Sequence, residues 1–461
     1  MDTVFTPAVQ RLAALSGALA LLGVALLAPQ HLMTILPSAV AVLAALAFYQ
    51  FPVALVGVLV LTYGLAVDIQ VDLLTAVGGG GAGAALGALV KLVPFALAGL
   101  LMLRYGLSSA VNWPFLVFVA IAGLSLVILP IGRVAGFGDM ARSFIGSTAP
   151  FVLGFALAPR RIWTAVIVGA ALVPIISAVG GVFADVVGFY PMLSRFGRFQ
   201  GLHSAPFLAG FCVTAIFACT LEYLRGFRLR WLVLAGVNMA ILLATQARAP
   251  FIAVSLFLFL VFVLSGPRIL PLKRKVDLVM GGMVPALLLL GPALLYALQR
   301  FTGESENFSG RDIIWPYFTA AIEQRPLFGF GLGAGKLIVD PEDPTIKLLG
   351  SNAAHNEYLR LAVDAGVIGC AAIFLSIIMW IWQGTRRAAP ADQLVLRCAL
   401  AAALLHSGFD NTLIASTSIM QFCFFAAALA RARIETEPSR RGSGSGRAPS
   451  QSPRRRASAF G

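Results

Sequence analysis

The stretch of sequence that decides the fold is IWTAVIVGAALVPIISAV, residues 162–179. It contains no charged residue, and two arginines, Arg160 and Arg161, stand directly before it. A helix needs about 20 apolar residues to cross the hydrocarbon core of a bilayer. Only helices and closed barrels satisfy their backbone hydrogen bonds in lipid, so this stretch predicts a membrane-spanning helix.

Similar apolar runs recur along the chain and are separated by short polar clusters. They occupy residues 12–28, 32–49, 52–67, 86–103, 114–131, 144–158, 205–224, 230–245, 251–265, 276–298, 358–382, 394–406 and 413–430. None shows the alternation of a strand, so we predict an all-α fold: a polytopic transmembrane helical bundle of about 12–14 spans. The composition, 59% hydrophobic and 12% charged over 461 residues, is too apolar for a soluble globule.

Lysine and arginine predict the orientation of the bundle, because short basic loops stay in the cytoplasm during insertion. If the runs alternate in direction, the basic loops fall on one side together with both termini. These loops contain Arg104, Arg160, Arg161, Arg225, Arg228, Arg230, Arg268, Lys273, Arg274, Lys275, Arg386 and Arg387. The longest hydrophilic segment, residues 300–356, then faces outward.

The same pattern divides the chain into four parts. We predict an N-terminal transmembrane bundle (1–298), an extracytoplasmic loop with an amphipathic helix (299–356), C-terminal transmembrane helices (357–430) and a disordered basic cytoplasmic tail (431–461). The amphipathic helix is predicted from Ser309 and Asp312, which resemble a capping box, and from an apolar face. That face is formed by Ile313, Ile314, Phe318 and Ile322. The net charge of +14 lies largely in the cytoplasmic loops and the tail, which favours contact with membrane lipid over nucleic acid.

No cofactor is predicted. The five cysteines lie in or beside apolar runs, and no metal-ligand spacing is present in the sequence. The glycines of PLFGFGLGAGK, residues 326–336, lack the spacing of a phosphate-binding loop. They predict a tight turn, with close approach of the backbone to a bulky ligand as the alternative.

Polar residues of the outer face are the functional candidates. Arg195, Arg198 and His203 stand in SRFGRFQGLHSAPFLAG, and Arg248 stands in TQARAPF. An arginine at the membrane surface is costly unless it meets an anion or a polar cavity. Arg311 stands at the start of the predicted surface helix, where free N–H groups also favour an anion. The alternatives are contact of Arg248 with lipid headgroups and pairing of Arg311 with a nearby glutamate.

The sharpest signal is GSNAAHNEYLRLAVDAGVIG, residues 350–369, where the chain re-enters the membrane. A neutral imidazole at His355 can accept a proton from a sugar hydroxyl near neutral pH. A lone histidine at such an interface is also often structural. His406 and Asp410 form a second candidate pair, either a proton relay or a polar contact within the bundle.

These motifs, in this order, resemble the O-antigen ligase and polymerase superfamily of bacterial membrane glycosyltransferases. The similarity rests on RFQGLHSAPFLAG, QARAPFIAVSL, SGRDIIW, PLFGFGLGAG and HNEYLRLAVDAGVIG, within residues 189–382. Two positions depart from the pattern: Phe207 stands where asparagine is frequent, and Ala249 where glycine is common.

The resemblance implies a metal-independent, inverting transfer of a saccharide from a polyprenyl (undecaprenyl) diphosphate to an acceptor hydroxyl. The reaction would occur on the periplasmic face of the bacterial inner membrane, in the synthesis of O-antigen or exopolysaccharide. By the likeness, Arg198, Arg248 and Arg311 bind the diphosphate, with Arg195 and His203 as accessory residues. His355 would deprotonate or orient the acceptor hydroxyl, and Asn356 or Glu357 would position it.

Three functions remain open. A polymerase, which is favoured, adds a growing glycan to a lipid-linked repeat unit, in some cases with a chain-length regulator as partner. A ligase transfers the finished glycan to a lipid A core. A transporter or flippase of lipid-linked saccharide also has many spans, but the sequence lacks the internal repeat and matching broken helices typical of that class.

Overall fold

The computed structural model of the protein describes residues 44–67, 69–70, 90–127, 136–283, 310–340, 342–349 and 352–436. Within these ranges the regular secondary structure is helical, apart from two isolated bridges, Leu107 with Ala156 and Leu193 with Phe199. The predicted all-α class is therefore confirmed. The run 12–28, most of the runs 32–49 and 276–298, Ser309 and the chain from residue 437 lie outside the described residues.

Most of the described helices lie on predicted runs. The described helices are α1 (Ala44–Gln50), α2 (Pro52–Gly64), α3 (Val93–Tyr105), α4 (Trp113–Val127), α5 (Phe137–Thr148), α6 (Arg160–Val186), α7 (Ala205–Gly226), α8 (Leu229–Thr245), α9 (Arg248–Leu264), α10 (Leu272–Leu278), α11 (Arg311–Gln324), α12 (Pro344–Leu349), α13 (Glu357–Thr385), α14 (Pro390–Ser407) and α15 (Ser416–Thr436). The run 144–158 departs from one continuous helix, because a 3-10 segment, Ala149–Phe155, follows α5.

Three of the described helices are long and apolar enough to cross a membrane: α6, α7 and α13. A fourth span results if α1 and α2, which meet at a bend of 114°, are counted together. Helices α3, α4, α8 and α9 are apolar but shorter. The described residues therefore support a membrane bundle, and the total of 12–14 spans stays a prediction.

Helix α7 lies at the centre of the bundle and packs against α6, α8, α9, α14 and α15. Most of its residues are buried. Aromatic residues fill the spaces beside it: the rings of Phe217 and Phe257 lie 4.4 Å apart, and those of Phe151 and Phe422 lie 4.7 Å apart. A central helix buried on every face needs apolar residues all round, as its sequence has.

Ion pairs join four helices at one end of the bundle. Arg225 of α7 binds Asp392 of α14 at 2.6 Å and Glu435 of α15 at 2.5 Å, and Arg160 of α6 binds Glu435 at 2.9 Å. Arg431 is also buried and pairs with Glu222 of α7. Residues 431–436 are thus helical, and the predicted boundary of the tail at residue 431 is wrong, because these charges find buried partners.

The Arg225–Asp392 pair also fixes the direction of the helices around α7. It places the last turn of α7 beside the first turn of α14, so these two packed helices are antiparallel. Short turns connect α7 to α8 and α8 to α9, so α9 runs parallel to α7. The first residues of α7 and α9 therefore share one end of the bundle with the last residues of α14. We call it the outer end, after the predicted orientation.

Candidate active site at the outer end

His355 and Asn356 form the entrance to α13. Asn356 caps the helix, since its side-chain oxygen accepts a hydrogen bond from the N–H of Leu359 at 3.2 Å. His355 has a φ of 44°, a left-handed conformation that is uncommon for residues other than glycine. The indole of Trp315, on α11, donates to the carbonyl of Ala354 at 2.8 Å. The histidine is therefore held between the start of α13 and the surface helix.

Asp410 lies between two histidines. One carboxylate oxygen is 3.8 Å from Nδ1 of His355, and the other is 3.9 Å from Nε2 of His406 at the end of α14. Burial acts to raise the pKa of the Asp410 carboxyl group. The two histidines and the N–H of Asn411, at 2.8 Å, outweigh that effect and hold the pKa below its ordinary value. Asp410 is therefore an anion that faces His355.

Arg311 reaches the same segment from the first residue of α11. Its Nη2 donates to the carbonyl of Phe409 at 2.7 Å. Burial lowers the pKa of the guanidinium, and the neighbouring Asp410 opposes that shift. Its Nε is buried and has no hydrogen-bond partner among the described residues. The structure thus brings Arg311 and His355 together at residues 409–410.

Arg198 and Arg248 meet at the turn between α8 and α9. Nε of Arg198 donates to the carbonyl of Thr245 at 3.0 Å, and the N–H of Phe199 donates to the carbonyl of Ala244 at 3.0 Å. Arg248 is the first residue of α9, three positions after Thr245. Both arginines therefore lie at the outer end.

The helix packing places this turn at the same end as the histidine cluster. Helix α9 packs antiparallel against α14, so its first residue, Arg248, and the last turn of α14, with His406, share the outer end. The four predicted residues thus form two groups, Arg198 with Arg248 and Arg311 with His355. Both groups belong to the outer end of the helices α7, α9 and α14.

Glu357 does not face the other predicted residues. Its carboxylate is fully buried and accepts hydrogen bonds from Arg360, including one from Nε at 3.1 Å. Nη1 of Arg360 donates to Asp364 at 2.9 Å, and Asp364 accepts the N–H of Gly335 at 2.7 Å. We call Glu357, Arg360 and Asp364 the buried clamp. Its spacing of three and four residues is readable in the sequence, because such residues share one face of a helix.

The glycine loop, residues 326–336, lies along the N-terminal half of α13. The N–H groups of Phe330 and Gly331 donate to the carbonyls of Val363 and Asp364 at 2.8 and 2.9 Å. Gly329 has a φ of 68°, and a Cβ there would collide with the backbone of α13. Helix α13 is itself broken at Gly366, where φ is also 68°. The glycines therefore serve turns and close approach to a helix of the same chain.

His203 and Arg195 occupy different surroundings. His203 is buried, and its Nδ1 lies 2.8 Å from Oγ of Ser177 on α6. The hydroxyl of Tyr190 donates to the carbonyl of His203 at 3.3 Å. Arg195 is exposed and stacks on the ring of Phe196, with 4.7 Å between them. These contacts anchor the segment that carries Arg198.

No group of three or more His, Cys, Asp or Glu side chains is arranged to hold a metal ion within the residues that the structure describes. All five cysteines are buried thiols. The polar side chains described above at the outer end include Arg198, Arg248, Arg311, His355, His406 and Asp410.

The fold and the outer-end cluster define a membrane protein with a polar site at one end of a helical bundle. Residues 231–374 match the model of the O-antigen ligase family. The match confirms the predicted resemblance to the O-antigen ligase and polymerase superfamily, and it supports a membrane glycosyltransferase activity of that general type. It includes Arg248, Arg311 and His355, whereas Arg198 and Asp410 lie outside it. Comparison with curated proteins gives no match.

Proposed function

We propose that the protein transfers a saccharide, with inversion and without a metal ion, from a polyprenyl diphosphate, such as undecaprenyl diphosphate, to a sugar hydroxyl. The reaction takes place on the periplasmic face of the inner membrane, and both termini are cytoplasmic. The observation that carries this proposal is the position of His355 beside the half-buried carboxylate of Asp410, with Arg311 bound to the adjacent residue.

The arginines provide the electrostatic part of the reaction. As the bond between the sugar and the diphosphate breaks, negative charge collects on the diphosphate oxygens. Guanidinium groups bind such oxygens in bidentate fashion and stay cationic, so they stabilise the transition state more than the bound substrate. In this proposal Arg198 and Arg248 bind the diphosphate from the turn before α9, and Arg311 binds it from the start of α11.

His355 provides the proton transfer. Asp410 faces Nδ1, which favours the tautomer with a proton on Nδ1 and leaves Nε2 as the base. The acceptor oxygen forms its bond to the anomeric carbon and passes its proton to Nε2. The resulting imidazolium is stabilised by the Asp410 carboxylate. Asn356 and the buried clamp act as positioning residues, because they fix the first turn of α13 below the histidine.

Polymerase activity is favoured over ligase activity by the likeness of the RFQG, SGRD and HNEYL motifs to proteins of exopolysaccharide synthesis. The two activities differ in the acceptor: another lipid-linked repeat unit, or a lipid A core. The size and lipid content of the product distinguish them. A flippase would move the lipid-linked saccharide across the bilayer without releasing polyprenyl diphosphate.

The test measures release of polyprenyl diphosphate by purified protein in lipid vesicles, with lipid-linked oligosaccharide as donor. We expect release by the wild type and by Lys347→Ala, and loss of release with His355→Ala and Arg248→Ala. Lys347 is a suitable control because it is exposed and its pair with Glu342 lies on the surface. Transport without release would overturn the proposal in favour of a flippase.

A further inference from the structure

An apolar cavity of about 390 Å³ lies between α4 and α13. Its wall includes Ala120 and Ser125 of α4, Ala372 of α13, and Phe328 of the glycine loop. The volume falls within the range of ordinary ligand pockets, roughly 300–1,000 Å³. No part of the proposed chemistry uses this cavity.

The cavity presents no polar group to an occupant. Ser125 is the single polar residue of its wall, and Oγ of Ser125 already accepts the N–H of Leu332 at 3.1 Å. Apolar cavities of this kind stay dry, because a water molecule needs two or more polar partners. The occupant that fits is therefore a hydrocarbon.

The surroundings of the cavity connect it with the lipid. Ile368 and Phe328, which form part of the wall, are 51% and 49% exposed. Neighbouring residues that are not part of the wall, Val119 of α4 and Leu375 of α13, are also largely exposed. Apolar side chains exposed on a span such as α13 face hydrocarbon, so a chain can enter sideways from the bilayer.

The position of the cavity relative to His355 fits the anchor of an acceptor. Ala365, in the wall of the cavity, follows Glu357, the first residue of α13, by eight residues, or about 12 Å of helix rise. That length leaves room for a headgroup between a chain in the cavity and a sugar at the histidine. Arg198 contacts the last residue of α8, and Arg248 begins α9, which packs against α14, whereas the cavity lies between α13 and α4.

From this arrangement we infer that the cavity between α4 and α13 holds the hydrocarbon chain of a lipid-anchored acceptor. The inference rests on the proposed transfer reaction and deepens it: donor and acceptor lipids lie on two sides of α13, and His355 stands between them. Because the bilayer is as apolar as the cavity, the cavity orients the acceptor and does not concentrate it. Orientation of this kind acts on the rate of the reaction at low acceptor concentration.

The experiment fills the cavity and measures transfer to acceptors that differ in chain length. Ala120→Phe and Ala372→Phe place a ring on the wall of the cavity, while Val119→Phe and Leu375→Phe place the same ring on the same helices at positions outside that wall. The acceptors are lipid-linked saccharide extracted from the producing cells and the same saccharide rebuilt on a short citronellyl chain. A lipid A core, intact and with shortened acyl chains, is the second acceptor pair. Thermal unfolding verifies folding, and Ala120→Leu replaces any variant that fails it.

We expect the wild type and both control variants to prefer the long-chain acceptor in kcat/KM. In the filled variants the ratio of kcat/KM for the long-chain acceptor to kcat/KM for the short-chain acceptor falls by about tenfold. The kcat/KM for the short-chain acceptor and the KM for the donor stay unchanged. Unchanged preference in the filled variants overturns the inference, as does a wild type that ignores chain length or an effect confined to the donor. Absence of transfer by the wild type with every acceptor overturns the proposed function itself.

Discussion

The two ends of the bundle differ in how they pair their charges. We call the end opposite to the outer end the inner end. There Arg225 donates to both oxygens of Asp392, at 2.7 and 2.6 Å, and also binds Glu435. At the outer end Asp410 stands 3.8 and 3.9 Å from two imidazoles, and Nε of Arg311 is buried without a partner in the described structure. Closely paired charges hold helices together, whereas loosely paired ones keep hydrogen-bonding capacity for a ligand.

The largest effect is expected at the outer end. His355→Ala should lower turnover by roughly a hundredfold to ten-thousandfold, the range that a general base contributes. The melting temperature should change little, because the side chain of His355 is 39% exposed. Steady-state release of polyprenyl diphosphate measures the first quantity and thermal unfolding the second. If folded His355→Ala protein kept the wild-type turnover, His355 would not be the general base.

The inner end should respond in the opposite way. Arg225→Ala leaves Asp392 buried without its closest partner and should destabilise the protein by about 3 kcal/mol. Turnover per folded molecule should stay the same. Adding Asp392→Asn should recover part of the lost stability, since the uncompensated charge is then gone. Unfolding in a denaturant series compares the three proteins, and an Arg225→Ala variant with normal stability but no turnover would reverse the contrast between the ends.

Glu357 allows a sharper comparison within α13. Glu357→Gln keeps a hydrogen-bond acceptor for Arg360, so turnover should fall by less than about tenfold, far less than with His355→Ala. Parallel measurement of kcat and KM for the two variants provides the check. A loss equal to that of His355→Ala would make Glu357 a catalytic residue instead of a member of the buried clamp.

The smallest effect concerns the contribution of Asp410 to the stability of the protein, which depends on pH. The pKa of its carboxyl group is lower in the folded protein than its ordinary value, which is near 4. The charged carboxylate therefore stabilises the folded protein at pH values above the ordinary pKa. That contribution is lost as the pH falls through the lowered folded pKa. The difference in melting temperature between wild type and Asp410→Asn should therefore be largest near neutral pH and shrink below about pH 4. A difference that is independent of pH would contradict the assigned charge.

The sequence predicted the positions of the helices well, but it predicted the contacts between the residues of the candidate site poorly. Both results have physical reasons. The run 162–179 became α6 and the run 205–224 became α7, because long apolar stretches have one stable form in lipid. Arg311 was found from its place at a helix start. The role of Glu357 was assigned by likeness to a motif, although Arg360 and Asp364 at helical spacing already indicated a buried partner.

The approach of Asp410 to His355 had no signal in the sequence. The two residues are 55 positions apart, as their numbers give, and only the packing of α13, α14 and the segment after α14 brings them within 3.8 Å. The pair His406 and Asp410 was readable from its spacing of four residues, but that spacing does not reveal a third partner. Likewise, Ile313 was predicted on the apolar face of α11, whereas Ile314, Phe318 and Ala321 are the residues that are buried.

The break in α13 at Gly366 has a consequence for how the protein is assembled. The N–H of Val367 has no helical partner there and donates to the carbonyl of Pro326 in the glycine loop at 2.8 Å. Inside a membrane an unsatisfied backbone group costs several kcal/mol, roughly 4–8 on hydrocarbon scales. The broken helix therefore keeps its shape only while the glycine loop, which precedes it in the chain, is docked against it. The glycine loop thus serves as a backbone partner that the span cannot supply from its own residues.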